Sequence, residues 1–462
     1  MRSESERGEK WEGLILGSRR GFLQSSCSVP GVLLGLGVVR PADATGRLST
    51  VDDFVTASQP RPEPKIVFPT DALPPPSGPR KKIAAITTSY FKYSHADDII
   101  TKFLEGYAVF GRTHLPHCDV VSLYVEQTPD TDIGRGMAAR YRARWCDTPT
   151  EALTLGGDSL AVDGVLLVAE HGDYPFNAKG QQLYPRRRLF EQIVKVFDHS
   201  GRAAPVYNDK HFSYSWADAV WMREQSLRLR FPMMAGSSVP VAWRRPGLAF
   251  QRGVKLKAAL AVGFSGLEVY GFHTLELLQA FVEKRAGGET GIRAVQCLMG
   301  DAAWDAAGAG RWRPDLLVEA IRHVPGVPAL PPGLGLGSLR SLDPDAIVFV
   351  IDHADGFTSA AYLSRKLVNE FAFAAEVDGR AHPVGTWAEL NKPQRDHFSF
   401  LCNHIEVMFR SGKPSYPVER TYLVTGALAA LVDSHAQHGR RIETPHLARV
   451  GYTPAEEWTA AS

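Results

Sequence analysis

The residues best suited to chemistry gather where a buried strand ends. Asp163 to Ala169 is an almost continuous apolar run, the pattern of a strand covered on both faces, and Glu170-His171-Gly172-Asp173-Tyr174 follows it directly. In open α/β sheets ligands sit beyond the carboxyl ends of the strands, so these side chains face whatever the protein binds. Carboxylate and imidazole donors suit a divalent metal such as zinc, manganese, iron or nickel, and Glu170 and Asp173 with His171, His211 and His273 make a candidate ligand set. The spacing matches no familiar metal signature. The same polar side chains would serve equally as a rim that hydrogen-bonds sugar hydroxyls. Tyr174, Tyr184, Tyr207, Tyr214, Trp216 and Trp243 are abundant around this stretch, either as core and hinge packing or as faces on which a sugar stacks.

A second candidate lies at the first strand-to-helix turn, where Thr88, Ser89 and Lys92 precede a helix. Unpaired N–H groups and the helix dipole favour an anion there, so small hydroxyls and an ammonium suit a phosphate or a carboxylate. Glu126 ends the second strand, where a dinucleotide fold holds a ribose hydroxyl. Arg186-Arg187-Arg188 reads as a solvated helix start, with acid or phosphate binding as the alternative. His397, His404, His435 and His438 fall on C-terminal helices and read as structural.

The elements that must position these groups alternate. Lys82 to Tyr90 reads as a strand, and Ala96 to Tyr107 as a helix with Ile99, Ile100, Phe103, Leu104 and Tyr107 at helical spacing. Strands follow at Asp119–Glu126, Asp163–Ala169, 205–207 and Met233–Ala235, separated by helices at 137–144, 150–155, Arg186–Asp198 and Trp216–Arg228. Such alternation over residues 81–240 predicts a Rossmann-like parallel sheet with crossover helices. Beyond residue 240 the texture changes. Runs at 253–263, 292–299, 346–352, 358–363 and 369–377 read as strands with few helices between them, which predicts an open, mainly antiparallel sheet. One helix interrupts it at 274–285, two close the chain at 398–410 and 419–438, and the Gly- and Pro-rich segment 324–337 reads as an irregular loop. The expected class is therefore α/β followed by α+β, with domains at 81–240 and 241–462.

Several stretches in this order resemble the glucose-fructose oxidoreductase (Gfo/Idh/MocA) family, which pairs a dinucleotide-binding Rossmann domain with an open-sheet α+β domain. Residues 137–141, Glu151-Ala152-Leu153 and Asp163-Gly164-Val165-Leu166-Leu167-Val168 are similar to the family's helix, Glu-x-Leu segment and buried strand. Asn208-Asp209-Lys210-His211 resembles its Glu-Lys-Pro turn, and Gly271 to Leu278 its Gly-x-His-x-x-Asp helix start. Residues 412–420 through 444–445 resemble its closing helix and strand. The resemblance implies NAD(P) as cofactor, a sugar, glycoside or cyclitol as substrate, Lys210 as electrostatic partner of the reacting oxygen and His273, near an imidazole's ordinary pKa, as the base that deprotonates the carbinol. Two departures stand out. His211 replaces the family's Pro, and the glycine-rich turn reads Thr87-Thr88-Ser89-Tyr90-Phe91-Lys92, without the glycines that let a backbone approach a pyrophosphate.

The N-terminus carries an address. Ser18-Arg19-Arg20-Gly21-Phe22-Leu23, a short apolar stretch and Ala42-Asp43-Ala44 match a twin-arginine leader over residues 1–44, cleaved near Ala44, which predicts a periplasmic or secreted protein. The apolar stretch is well below the roughly 20 residues needed to span a bilayer, so no stable anchor is expected. Residues 45–80 are Pro-rich, a linker or surface strap. Fifty-two Lys and Arg against 50 Asp and Glu give a net charge of +2, too small a field to steer nucleic acid. The five cysteines form no CxxC and no metal-type cluster, so thiolate zinc is disfavoured. Three functions remain open: an oxidoreductase-like enzyme with NAD(P), a metal-dependent or acid/base lyase or hydrolase of an oxidised sugar, and a non-catalytic carbohydrate-binding protein. A solvent-facing outer sheet would also make a homo-oligomer.

Overall fold

The computed structural model describes residues 78–109, 112–328, 330, 333–390 and 395–455; the stretch expected to be a leader and nearly all of the Pro-rich segment lie outside them. The first half runs β1 (Lys81–Ser89), α1 (His95–Glu105), β2 (Tyr107–Val109), β3 (Arg112–His114), β4 (Cys118–Gln127), α2 (Gly134–Tyr141), β5 (Arg144–Cys146), α3 (Pro149–Thr154), β6 (Gly164–Val168), α4 (Arg186–Ser200), β7 (Val206–Asp209), α5 (Trp216–Arg228) and β8 (Met233–Gly236). Six strands form a sheet of order β5-β4-β1-β6-β7-β8 with every pairing parallel, while β2 and β3 make a separate hairpin. This is the doubly wound order, and its direction of winding reverses between β1 and β6, which puts the binding crevice at their carboxyl ends. Strand β6, Gly-Val-Leu-Leu-Val, is buried along its whole length because helices cover both faces. The helix expected over 137–144 ends at Tyr141, where Arg142 takes a left-handed cap, and Arg144 begins the edge strand β5 instead.

The second half adds β9 (Trp243–Arg245), β10 (Leu256–Phe264), α6 (Val269–Val282), β11 (Ile292–Met299), α7 (Asp301–Gly308), α8 (Pro314–Arg322), α9 (Leu336–Leu342), β12 (Ile347–His353), β13 (Thr358–Ser364), β14 (Phe371–Val377), β15 (Val384–Glu389), α10 (Asp396–Ser411), α11 (Glu419–Ala436) and β16 (Ile442–Glu443). Its eight strands lie in the order β16-β11-β12-β13-β10-β14-β15-β9, antiparallel except for the β10–β13 pair. Helix α6 starts at Val269 rather than at residue 274. From Gly271 to Val282 it is buried all round, so its apolar residues show no single stripe and its start is hidden from periodicity.

The outer face of this sheet is not open. Helices α7 and α8 and the turn between them lay Trp304, Trp312, Leu316, Leu317, Ala320 and Ile321 against Leu260, Val262, Val348, Val350 and Tyr362, and α9 adds Leu339. The other face packs on α6 and α11. Few helices were expected here, and α9 falls partly in the segment read as a loop. The apolar face on which self-association was predicted is thus covered by the chain itself. Helix α10 crosses back, with Phe398, Leu401, Cys402, Ile405 and Phe409 completing the core of the parallel sheet. Among the described residues no helix is long and apolar enough to cross a membrane. Cys118, Cys146, Cys297 and Cys402 are unpaired and buried, as small apolar residues would be.

Because Trp304 is almost fully buried against the outer face and donates its indole N–H to the Asp343 carbonyl at 3.0 Å, Trp304→Ala is expected to cost roughly 3–5 kcal/mol, read as a lower midpoint in urea unfolding. An unchanged midpoint would mean that α7 to α9 do not hold the sheet.

Candidate active site at the carboxyl edge of the parallel sheet

Strand ends β1, β6, β7 and β8 and the first turns of α1, α4 and α6 bring their polar side chains to one edge. At its centre is Glu170, buried, with Oε1 3.2 Å from the Lys210 ammonium and Oε2 accepting from the Arg186 guanidinium. Burial alone would raise the Glu170 carboxyl, but Lys210 and Arg186 hold it well below the usual carboxylate range. Arg186 is therefore no solvated helix start: it is among the largest fully buried side chains, and its Nη1 also lies 3.5 Å from His211 Nε2. Lys210 and His171 both adopt left-handed backbone, φ +66° and +69°. Residues other than glycine hold that conformation only where the surroundings enforce it, and such strain concentrates at functional edges.

Lys210 also reaches across to β8. Its N–H donates to the Gly236 carbonyl at 3.2 Å, and the Gly236 N–H donates back at 3.1 Å. The next residue, Ser237, accepts the Val239 N–H at 3.0 Å and lies 2.6 Å from His273 Nδ1. The Ser237 hydroxyl and His273 Nδ1 share one hydrogen bond, which fixes the orientation of the ring. Burial, with Lys210 and His95 nearby, pushes His273 well below an imidazole's usual value. Lys210 lies near enough to His273 to act on it electrostatically, and His273 is a weak base rather than an imidazole near its ordinary pKa. His211 and His171 are each pushed down to about 3, His211 by burial and then Arg186, His171 by burial and then His95.

One pair escaped the sequence reading. His95, the first residue of α1, lies with Nδ1 2.7 Å from Asp209 Oδ2, and Asp209 is buried at the end of β7. Both residues sit on the carboxyl edge, so the rule that singled out Glu170 could have found them.

The residues expected to hold a cofactor are committed elsewhere. Thr88 Oγ1 donates to the Glu170 and His171 carbonyls at 2.9 Å each, tying β1 to the end of β6. Ser89 is buried in the β1–β4 register opposite Gln127. Lys92 pairs with Asp97 at 3.0 Å. Glu126 accepts both Arg188 Nη2 contacts at 2.6 Å and the Tyr174 hydroxyl at 2.8 Å. The first turn of α1 holds its own anions: Asp97 accepts the Tyr93 N–H at 2.8 Å, and Asp98, also buried, pairs with Arg395. A pyrophosphate there would meet side chains where a dinucleotide turn has glycines, and two buried carboxylates where it has unpaired N–H groups. The turn does not fit NAD(P) in the usual manner.

The metal set fares similarly. Among the described residues no three His, Cys, Asp or Glu side chains are placed to hold an ion. Glu170 is saturated by two cations and Asp173 is exposed, so the five proposed ligands do not converge. Three of the aromatic residues are engaged within the fold: Trp216 lies 4.6 Å from Tyr422, Trp243 5.1 Å from Phe400, and the Tyr207 hydroxyl bonds the Gly236 carbonyl. A cavity of about 340 Å³ lies far from this chemistry, beside Lys81, Asp163 and Pro205 at the amino edge of the same sheet.

No family model matches the sequence, and no curated protein matches it. Solved structures do. GenD2 from gentamicin A biosynthesis, in complex with NAD, aligns with a TM-score of 0.50 at 15% identity over 80% of this chain and 99% of its own. Myo-inositol dehydrogenase from Lactobacillus casei, in complex with NAD(H) and myo-inositol, aligns at 0.47 and 10% identity over 79% and 96%. A Gfo/Idh/MocA family oxidoreductase from Vibrio cholerae aligns at 0.45 and 13% over 77% and 97%. The chain shares the fold of the Gfo/Idh/MocA oxidoreductases, a parallel sheet followed by a mainly antiparallel one.

Glu276, on α6 beside Ser237, is pushed up to about 7 by burial, and its Oε1 has no partner. A carboxyl whose folded pKa exceeds its unfolded value of about 4.3 stabilises the fold fully below that value, and the benefit is lost as pH rises through 7. Glu276→Gln is expected to keep more of its melting temperature between pH 6 and pH 8 than the parent chain. Parallel pH profiles would contradict this.

Proposed function

We propose that the chain is an enzyme of polyhydroxylated small molecules, a sugar, glycoside or cyclitol in oxidised form, that works by proton transfer and elimination rather than by hydride transfer to a dinucleotide. One observation carries the reading: a buried Lys210 ammonium, held by Glu170, stands in the same cluster as the neutral His273 ring. Preplaced donors of this kind favour negative charge developing on a substrate oxygen, and they are worth far more in a water-poor site than in solution. Removal of a proton from the carbon next to a substrate carbonyl makes an enolate whose oxygen these groups hold. Collapse of that enolate expels a substituent from the adjacent carbon, so the net reaction is β-elimination with no change in redox state.

Two features support proton transfer over hydride transfer. The first turn of α1 carries Asp97 and Asp98 in place of a phosphate cradle, and Thr88 is tied to the end of β6. The likeness to GenD2, solved with NAD, supports hydride transfer as a second reading. Deuterium uptake separates the two. Incubated in D2O with a keto-glycoside, the parent chain is expected to exchange the proton next to the carbonyl, followed by NMR, and Lys210→Met to lose this by on the order of 10²-fold or more. Stoichiometric uptake of NAD(H) with hydride transfer and no deuterium incorporation would overturn the proposal.

Export belongs to the same proposal, supported by Ser18 to Leu23 and the Ala42-Asp43-Ala44 site. N-terminal sequencing of the exported chain is expected to begin near Thr45, and an intact Met1 on exported material would contradict it.

A further inference from the structure

We infer that His95 is the proton-transferring residue of this site and that Asp209 is its positioning residue. The inference rests on the elimination chemistry proposed above and assigns that chemistry a base. It starts from a shortage: of the imidazoles at the carboxyl edge, His211 and His273 are buried, and His273 Nδ1 is occupied by Ser237. His171 packs its ring edge against Phe91 at 5.3 Å, and its buried Nδ1 has no partner. None of the three has a carboxylate hydrogen-bonded to its ring nitrogen. His95 does. Its side chain is 15% exposed, and Asp209, 2% exposed, lies 2.7 Å from Nδ1.

That contact decides the tautomer. A buried carboxylate beside Nδ1 draws the ring proton to that nitrogen, leaves the Nε2 lone pair for a substrate, and stabilises the imidazolium once Nε2 is protonated. Nε2 makes no hydrogen bond among the described residues. The ring is fixed from two sides, edge-on to Phe398 at 5.1 Å and tilted against His171 at 5.3 Å. The charged and titratable groups around it are Asp98 on its own helix, Glu170 and His171 after β6, Asp209 at the end of β7 and Lys210 after it, His273 on α6, and Arg395 and His397 at the start of α10. His95 acts electrostatically on both Glu170 and His273, so it shares one cluster with the groups that hold the oxyanion.

The step balances. Nε2 takes the proton from the carbon next to the carbonyl, and the C–H electron pair becomes the enolate, its oxygen held by Lys210. The enolate re-forms the carbonyl and a new carbon–carbon double bond while the bond to the substituent on the adjacent carbon breaks. The departing alkoxide or hydroxide takes the proton from Nε2, and His95 returns to its neutral tautomer.

The test uses the full chain in the D2O exchange assay. His95→Gln is expected to lose exchange by on the order of 10²-fold or more with KM little changed, and Asp209→Asn to lose a smaller factor, in kcat rather than in KM. His95→Ala is expected to recover part of its exchange with added imidazole, which a structural role would not allow. Circular dichroism and melting curves establish that each variant folds. Full exchange in His95→Gln with loss in Lys210→Met would overturn this assignment and leave the elimination reading standing. No exchange in the parent chain would overturn both.

Discussion

The candidate site depends on one buried carboxylate. Glu170 leaves the carboxyl end of β6 and takes Lys210 from β7 and Arg186 from the start of α4, so three elements meet on two oxygen atoms. A charge removed from water is tolerable only when it is paired and hydrogen-bonded, and loss of either partner type would leave an uncompensated ion in the interior. That demand explains the left-handed backbone at His171 and Lys210, which turns the chain sharply where the side chains must converge. It also places Lys210 against Gly236, whose φ of +125° and tight contact with Glu276 and Thr421 leave no room for a Cβ.

The same edge lacks the usual dinucleotide turn. In this fold the first turn ordinarily offers bare backbone to a phosphate, and an anion is stabilised by unpaired N–H groups at the helix start. Here the chain provides its own anions. Asp97 takes the Tyr93 N–H and Lys92, Asp98 takes Arg395, and Thr88 binds the carbonyls that follow β6. What remains at this edge is a polar cluster in which His95 meets Asp209 and Lys210 meets Glu170.

The second sheet is a scaffold closed on both faces. Helix α6 is buried all round because it lies between this sheet and the rest of the core, and that position lets His273 reach Ser237 on the far side. On the outer face α7, α8 and α9 cover the sheet with tryptophan and leucine.

What the sequence determined by itself was the part written in local pattern. Alternating apolar runs and helical spacing place β1, β4, β6, α4 and α5 within a residue or two of their observed bounds, and the strand-end rule marks Glu170, while the resemblance picks out Lys210 and His273. Only the tertiary structure decided how these groups use one another. Whether Arg186 is solvated or buried, whether Thr88 and Lys92 are free, and whether His95 has a carboxylate at its ring depend on contacts between residues 5 to 114 positions apart. Periodicity carries no record of such pairs. A charge's role is set by what the fold puts beside it, and the pattern of neighbours along the chain does not contain that.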